Sequence, residues 1–176
     1  MPRDFDPGKN GRGPRAAIPA RKRWGQHFLA APETAERIVD AARVGPGDTV
    51  FEVGPGDGAL TRVIAARGAR LAAVEIDPLR AAELTREFAR NPRVAVACGD
   101  VLEKSFGDWL AAFGWPGPAV LLANLPYNVA TPILTRAIEE SHAISRSVAT
   151  IQREAMSAFR RPTGSPSTLT DARFVD

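Results

Sequence analysis

Thr49-Val50-Phe51-Glu52-Val53-Gly54-Pro55-Gly56-Asp57-Gly58 decides the fold. A short β-branched and aromatic run passes directly into a glycine loop, and apolar residues at helical spacing follow from Gly58 to Arg67 before Gly68 stops them. This is a strand, a tight turn and a helix. Glycines in such a turn let the backbone bend sharply and approach a ligand with no Cβ in the way. A second strand, Arg70–Glu75, ends Val74-Glu75-Ile76-Asp77. Glu75 follows Gly54 by 21 positions, where an acidic side chain reaches the ribose hydroxyls of an adenine nucleoside.

Outward from this unit the alternation repeats. Pro78–Arg90 reads as a helix with proline in its first turn, where the missing N–H costs nothing. Arg93–Ala97 is a third strand, ending in Cys98-Gly99-Asp100. Phe106–Phe113 is a short amphipathic segment, Ala119–Ala123 a fourth strand, Thr131–Glu140 a helix and Ser147–Gln152 a fifth strand. A further helix, Pro32–Ala42, precedes the series. Repeated strand–helix units predict an α/β domain, a parallel sheet with helices on both faces.

The chain has 176 residues, 44% of them apolar and 24% charged, enough for one such domain and too few for two. No apolar run is long enough to span a bilayer, and the charged, Pro/Gly-rich N-terminus lacks the apolar stretch of a secretory signal. With Cys98 alone no internal disulfide forms, so a cytoplasmic protein is expected. The net charge of +3 is unevenly placed. Residues 1–23 hold seven basic side chains (Arg3, Lys9, Arg12, Arg15, Arg21, Lys22, Arg23) against Asp4 and Asp6, an excess of +5; the rest holds 16 basic and 18 acidic residues, or −2. Residues 1–20 read as a disordered basic arm suited to a polyanion, 21–156 as the folded domain and 157–176 as an irregular tail.

Gly54-x-Gly56-x-x-Ala59 also fits a dinucleotide fingerprint, so a nicotinamide oxidoreductase competes. Asp57 would set a like charge against a pyrophosphate. Asp100 adds a second carboxylate at the same sheet edge, suited to an adenine amino group. Asn124-Leu125-Pro126-Tyr127-Asn128, directly after the fourth strand, is a group that an oxidoreductase does not need. An adenine N6 is a poor nucleophile because its lone pair is conjugated into the ring. The Asn124 side-chain oxygen and the Leu125 or Pro126 carbonyl can hold its two N–H groups and aim the lone pair at a methyl donor. Pro126 stiffens the loop, and Tyr127 offers a face for an extruded base.

Together these residues resemble the rRNA adenine N6-dimethylases, the small-subunit branch in particular. The resemblance runs through Arg21-Lys22-Arg23-Trp24-Gly25-Gln26-His27-Phe28-Leu29, Glu52-Val53-Gly54-Pro55-Gly56, Glu75-Ile76-Asp77, Gly99-Asp100-Val101, Asn124-Leu125-Pro126-Tyr127-Asn128 and Ile151-Gln152-Arg153-Glu154. It implies a Rossmann-like fold binding S-adenosylmethionine through His27, Leu29, Gly54, Glu75, Asp100 and Asn124, with Asn124, Leu125, Pro126 and Tyr127 at the methyl-transfer centre and Gln26 ordering the N-terminal motif. No metal is implied. The implied reaction is dimethylation of two adjacent adenosines near the 3′ end of small-subunit rRNA, by a monomer with no membrane association. Two departures stand out. His27 occupies a position where the family usually has Asn. The resemblance also stops near Met156, before the last strands and the helical C-terminal domain of the family. Without those parts, the fifth strand is expected to be an exposed edge whose Val148 and Ile151 lack neighbours, and the chain is expected to bind cofactor with little rRNA methylation. The competing function is a catalytically silent remnant that binds cofactor or RNA.

Overall fold

In the computed structural model, residues 32–125 and 127–150 are described. The elements are α1 (Pro32–Ala41), β1 (Thr49–Val53), α2 (Ala59–Ala66), β2 (Arg70–Glu75), α3 (Pro78–Glu87), β3 (Val94–Cys98), α4 (Phe106–Ala112), β4 (Ala119–Asn124), α5 (Tyr127–Glu139) and β5 (Ile144–Thr150), with a 3-10 turn at Val101–Glu103. The five strands form one parallel sheet in the order β3-β2-β1-β4-β5. The chain reverses direction across the sheet between β1 and β4, and sheets of this topology bind ligands outside the carboxyl ends of the strands at that point.

Strand side chains alternate between two cores, one on each face. Phe51, Val53, Leu121 and Ala123 pack with Phe106, Trp109 and Leu110 of α4 and with Ala130 and Ile133 of α5. Val50, Leu71, Val120 and Leu122 pack with Ile38 and Val39 of α1 and with Leu60 and Ile64 of α2. Phe51 meets Phe106 edge to face at 5.3 Å between ring centroids, a favoured aromatic geometry.

The expected α/β architecture is present, and most boundaries agree to within a few residues. Two do not. The helix expected from Thr131 begins at Tyr127, so Pro132 lies inside α5 rather than in its first turn. Burial of Ala130 and Ile133 against the sheet favours the earlier start despite the lost backbone bond at Pro132. The fifth strand begins at Ile144, where Ala119 pairs with it across a register shift. The expectation that Val148 lacks neighbours is also corrected: it is buried in the α1/α2 core. The paired part of the strand is therefore covered on that face. Arg146 ties it further to the α1–β1 connection, donating to the Ala42 carbonyl at 2.9 Å. Ile151, the basic arm and the tail lie outside the described residues.

Candidate active site

Register places the expected site residues along one edge. Val53 is paired with Val74 on one side and Ala123 on the other. Glu75 is paired with Cys98, and Asn124 with Thr150. Asp100, Glu75, Gly54 and Asn124 therefore stand at the carboxyl ends of β3, β2, β1 and β4, in that spatial order. Strand spacing puts about 10 Å between the β2 and β4 ends. His27, Leu29 and Pro126 lie outside the described residues; Tyr127 opens α5.

Glu75 is buried, and backbone donors fix both of its oxygens. Gly56 N–H donates to Oε2 at 2.8 Å, and Asp77 N–H donates to Oε1 at 2.9 Å. One carboxylate thus shapes both the glycine loop and the turn into α3. Each oxygen keeps a second lone pair for a ligand hydroxyl. Asp77 caps α3, accepting from Leu79 N–H at 2.9 Å. Asp100 caps the 3-10 turn through Oδ1, which accepts from Leu102 N–H at 2.9 Å. That turn does not use Oδ2, so capping and ligand contact are compatible in one side chain.

Gly54 has φ +66°, and a Cβ built there would meet nothing within 4 Å, so the end of β1 faces open space. The glycine loop is clamped from α2 and α3. Arg80 pairs with Asp57, and Arg62 donates to the Asp57 carbonyl at 2.9 Å while gripping Glu87 through two 2.7 Å bonds. The pairing with Arg80 weakens the case against a pyrophosphate drawn from the charge of Asp57. A stronger one replaces it: the Gly56 N–H, a natural phosphate donor in such loops, is taken by Glu75.

Beneath the loop lies Glu52, only 1% exposed. It shares the α1/α2 face of β1 with Val50 and accepts from the Thr61 hydroxyl through Oε2 at 2.8 Å, while Oε1 has no partner among the described residues. Burial pushes its carboxyl up to about 8; the Thr61 bond opposes this and nearby Glu75 adds to it. Glu52 is therefore largely protonated at neutral pH.

At the acceptor end, Leu125 is buried and its N–H donates to the Thr150 carbonyl at 3.2 Å. The Thr150 hydroxyl donates to Asn124 Oδ1 at 2.5 Å. Sequence reading did not single out Arg80, Thr150 or the structural role of Asp77. The Asp77–Arg80 spacing and the proline after Asp77 are the local signals for a capped helix start; nothing local points to Thr150.

Among the described residues no helix is long and apolar enough to cross a membrane. A family profile described as ribosomal RNA adenine dimethylase matches residues 18–170. The ribosomal RNA small subunit methyltransferase A of Geobacter metallireducens is 44% identical over 137 residues, covering 78% of this chain and 50% of that protein. That of Corynebacterium jeikeium is 40% identical over 148 residues, covering 82% and 46%. The chain thus spans about half the length of the curated relatives it matches. Among solved structures, the 23S rRNA methyltransferase ErmE superposes with a TM-score of 0.61 at 28% identity, over 73% of this chain and 49% of its own. A dimethyladenosine transferase from Plasmodium falciparum gives 0.63 at 23% identity, over 74% and 45%, a likeness of fold. A profile match over most of the chain and relatives at this identity agree with the residues gathered at the sheet edge: the chain belongs to the ribosomal RNA adenine dimethylase family.

Proposed function

We propose that the chain carries the S-adenosylmethionine site and methyl-transfer centre of a small-subunit rRNA adenine N6-dimethyltransferase. The observation that carries this reading is the single-edge row of Asp100, Glu75, Gly54 and Asn124, fixed by strand register. The row fits an adenine nucleoside bearing a cationic side group. Asp100 has an oxygen for the adenine amino group, Glu75 has lone pairs for the ribose hydroxyls, and the open space at Gly54 lets the ligand backbone lie close. When bound, S-adenosylmethionine supplies an electrophilic methyl on a sulfonium sulfur.

The chain's own residues then position the acceptor. Asn124 Oδ1 and the Leu125 or Pro126 carbonyl take the two N6–H bonds of a target adenine, which fixes the nitrogen and aims its lone pair. Tyr127 supplies a stacking face for the extruded base, and His27 and Leu29 complete the cofactor contacts. The basic arm of residues 1–20 adds sequence-independent RNA affinity, and residues 21–156 belong to the cofactor domain. The enzyme acts in the cytoplasm as a monomer.

The test is methyl transfer from tritiated S-adenosylmethionine to immature small ribosomal subunits, using this chain beside a form extended with a C-terminal domain from a relative. The expected product is N6,N6-dimethyladenosine, made by at least the extended form and abolished by Asn124→Ala. Cofactor binding with no adenine methylation in either form would support the binding-only reading instead.

A further inference from the structure

We propose that Trp109 is a positioning residue that sets Asp100 against the adenine amino group of the cofactor and so fixes the preference for adenine; the proposal rests on the reading of Asp100 as the adenine contact. One buried indole grips the chain on both sides of Asp100. Its Nε1–H donates to the Val101 carbonyl at 3.1 Å. Its far edge lies against Gly99, where a Cβ would come within 3.0 Å of Cη2 and 3.5 Å of Cζ2. Gly99 is not among the glycines of positive φ, so it is the indole, not the backbone, that requires a missing side chain here. Gly99 is also tied to β2, because its N–H donates to the Glu75 carbonyl at 2.9 Å.

The indole is itself held. It belongs to the core on the α4/α5 face, Phe113 stacks on it at 6.4 Å between ring centroids, and Lys104 Nζ lies 4.5 Å from its ring centroid. The carbonyls that follow are taken by Arg136 of α5, which donates to Leu102 at 3.0 Å and to Lys104 at 2.8 Å. Between these anchors Asp100 has φ −83° and ψ 121°, and its Oδ1 accepts from Leu102 N–H at 2.9 Å. A carboxylate whose backbone is fixed on both flanks stands in one place. Such placement lets a site discriminate, because a buried acceptor built to receive an N–H is left unpaired by a base that lacks it. Release of the indole frees Asp100 to turn away, and the penalty against the wrong base is lost with it.

Two substitutions loosen this grip from opposite sides. Trp109→Phe removes the N–H donor and the far ring atoms. Gly99→Ala leaves the core aromatic in place and pushes loop and indole apart, so the effect is read even where Trp109→Phe melts at the assay temperature. The probes are S-adenosylhomocysteine and its analogue with hydrogen in place of the adenine amino group, titrated by calorimetry into the 176-residue chain. Wild type should prefer the amino form by about tenfold or more, the scale of a hydrogen bond to a charged group, and Asp100→Ala should abolish the preference. Trp109→Phe and Gly99→Ala should each reduce it to about threefold or less, while affinity for the analogue stays within about twofold of wild type. In the double variant, Gly99→Ala should add little to Trp109→Phe, because the atoms it meets are gone; additive losses overturn the proposal. A mere packing lesion lowers both affinities by the same factor and keeps the preference, and that result overturns it too. Loss of the preference in Asp100→Ala alone overturns the positioning role and leaves the adenine contact standing. No preference in wild type, or one kept in Asp100→Ala, overturns both.

Discussion

Glu75 and Gly56, 19 residues apart in sequence, are joined by a 2.8 Å hydrogen bond from the glycine N–H to the buried carboxylate. The glycine loop therefore takes its shape from the end of the neighbouring strand, and with Asp77 N–H on the other oxygen one side chain organises two loops of the site. Glu75→Ala should weaken S-adenosylmethionine binding by about 1–3 kcal/mol and lower the melting temperature, because two backbone donors lose a charged acceptor. Glu75→Gln, with one acceptor oxygen, should fall between the two in both measurements. Calorimetry and thermal melting on the three proteins check this; equal cofactor affinity in all of them would remove Glu75 from the site.

Gly54 and Gly58 separate ligand contact from backbone strain. Both have positive φ, +66° and +80°, so an alanine at either should cost about 1–2 kcal/mol of stability. A Cβ on Gly58 would approach Leu84 Cδ2 to 2.6 Å and press on the α3 packing, whereas one on Gly54 would meet only open space. Gly54→Ala should therefore reduce cofactor affinity beyond its effect on stability, and Gly58→Ala chiefly stability. Denaturant titration paired with calorimetry distinguishes the two. The reverse pattern would place the ligand elsewhere.

Glu52 makes stability depend on pH. Its carboxyl is raised to about 8 from 4.5, so between those values the unfolded chain is ionised while the folded chain keeps its proton. Folding then takes up a proton. The contribution is fully present below about pH 4.5 and is lost as pH rises through about 8. Glu52→Gln keeps a neutral side chain for Thr61 at every pH. Its stability relative to wild type should rise from pH 5 to pH 7.5, by as much as about 3 kcal/mol. Urea titrations at the two pH values measure it; a difference that does not change with pH would mean that Glu52 is ionised in the fold.

Much of this architecture is legible in the sequence because its strands are short apolar runs closed by Gly, Asp or Asn. Val50-Phe51-Glu52-Val53-Gly54 and Val120-Leu121-Leu122-Ala123-Asn124 each show where a strand stops, and parallel pairing then brings those stops to one edge. Gly54, Glu75, Asp100 and Asn124 could be placed for that reason. The start of α5 could not, because Pro132 imitates a first-turn proline and only tertiary burial of Ala130 extends the helix backwards. Ile144-Ser145-Arg146 has no apolar alternation, so the start of β5 is set by pairing with β4 rather than by composition. The Arg80–Asp57 pair and the Thr150–Asn124 bond span 23 and 26 residues, and chain topology alone brings them together. Glu52 reads as a polar residue in an apolar strand; its burial depends on Thr61 one helix later.

The basic arm is expected to add RNA affinity without sequence preference. Removing residues 1–20 deletes Arg3, Lys9, Arg12 and Arg15 with Asp4 and Asp6, a net loss of two positive charges. Affinity for RNA should fall, and the slope of log K against log salt should flatten by about 1–3, depending on how many of the four cations reach phosphates. An unchanged slope would show that the arm does not touch RNA.

Binding of S-adenosylmethionine compared with NAD tests the site most directly, by calorimetry on wild type, Glu75→Ala and Asp100→Ala. The expected result is saturable one-site binding of S-adenosylmethionine, weakened in both variants, with NAD binding weakly or not at all. NAD binding tighter than S-adenosylmethionine, or S-adenosylmethionine affinity untouched by both substitutions, would contradict the assignment of this sheet edge.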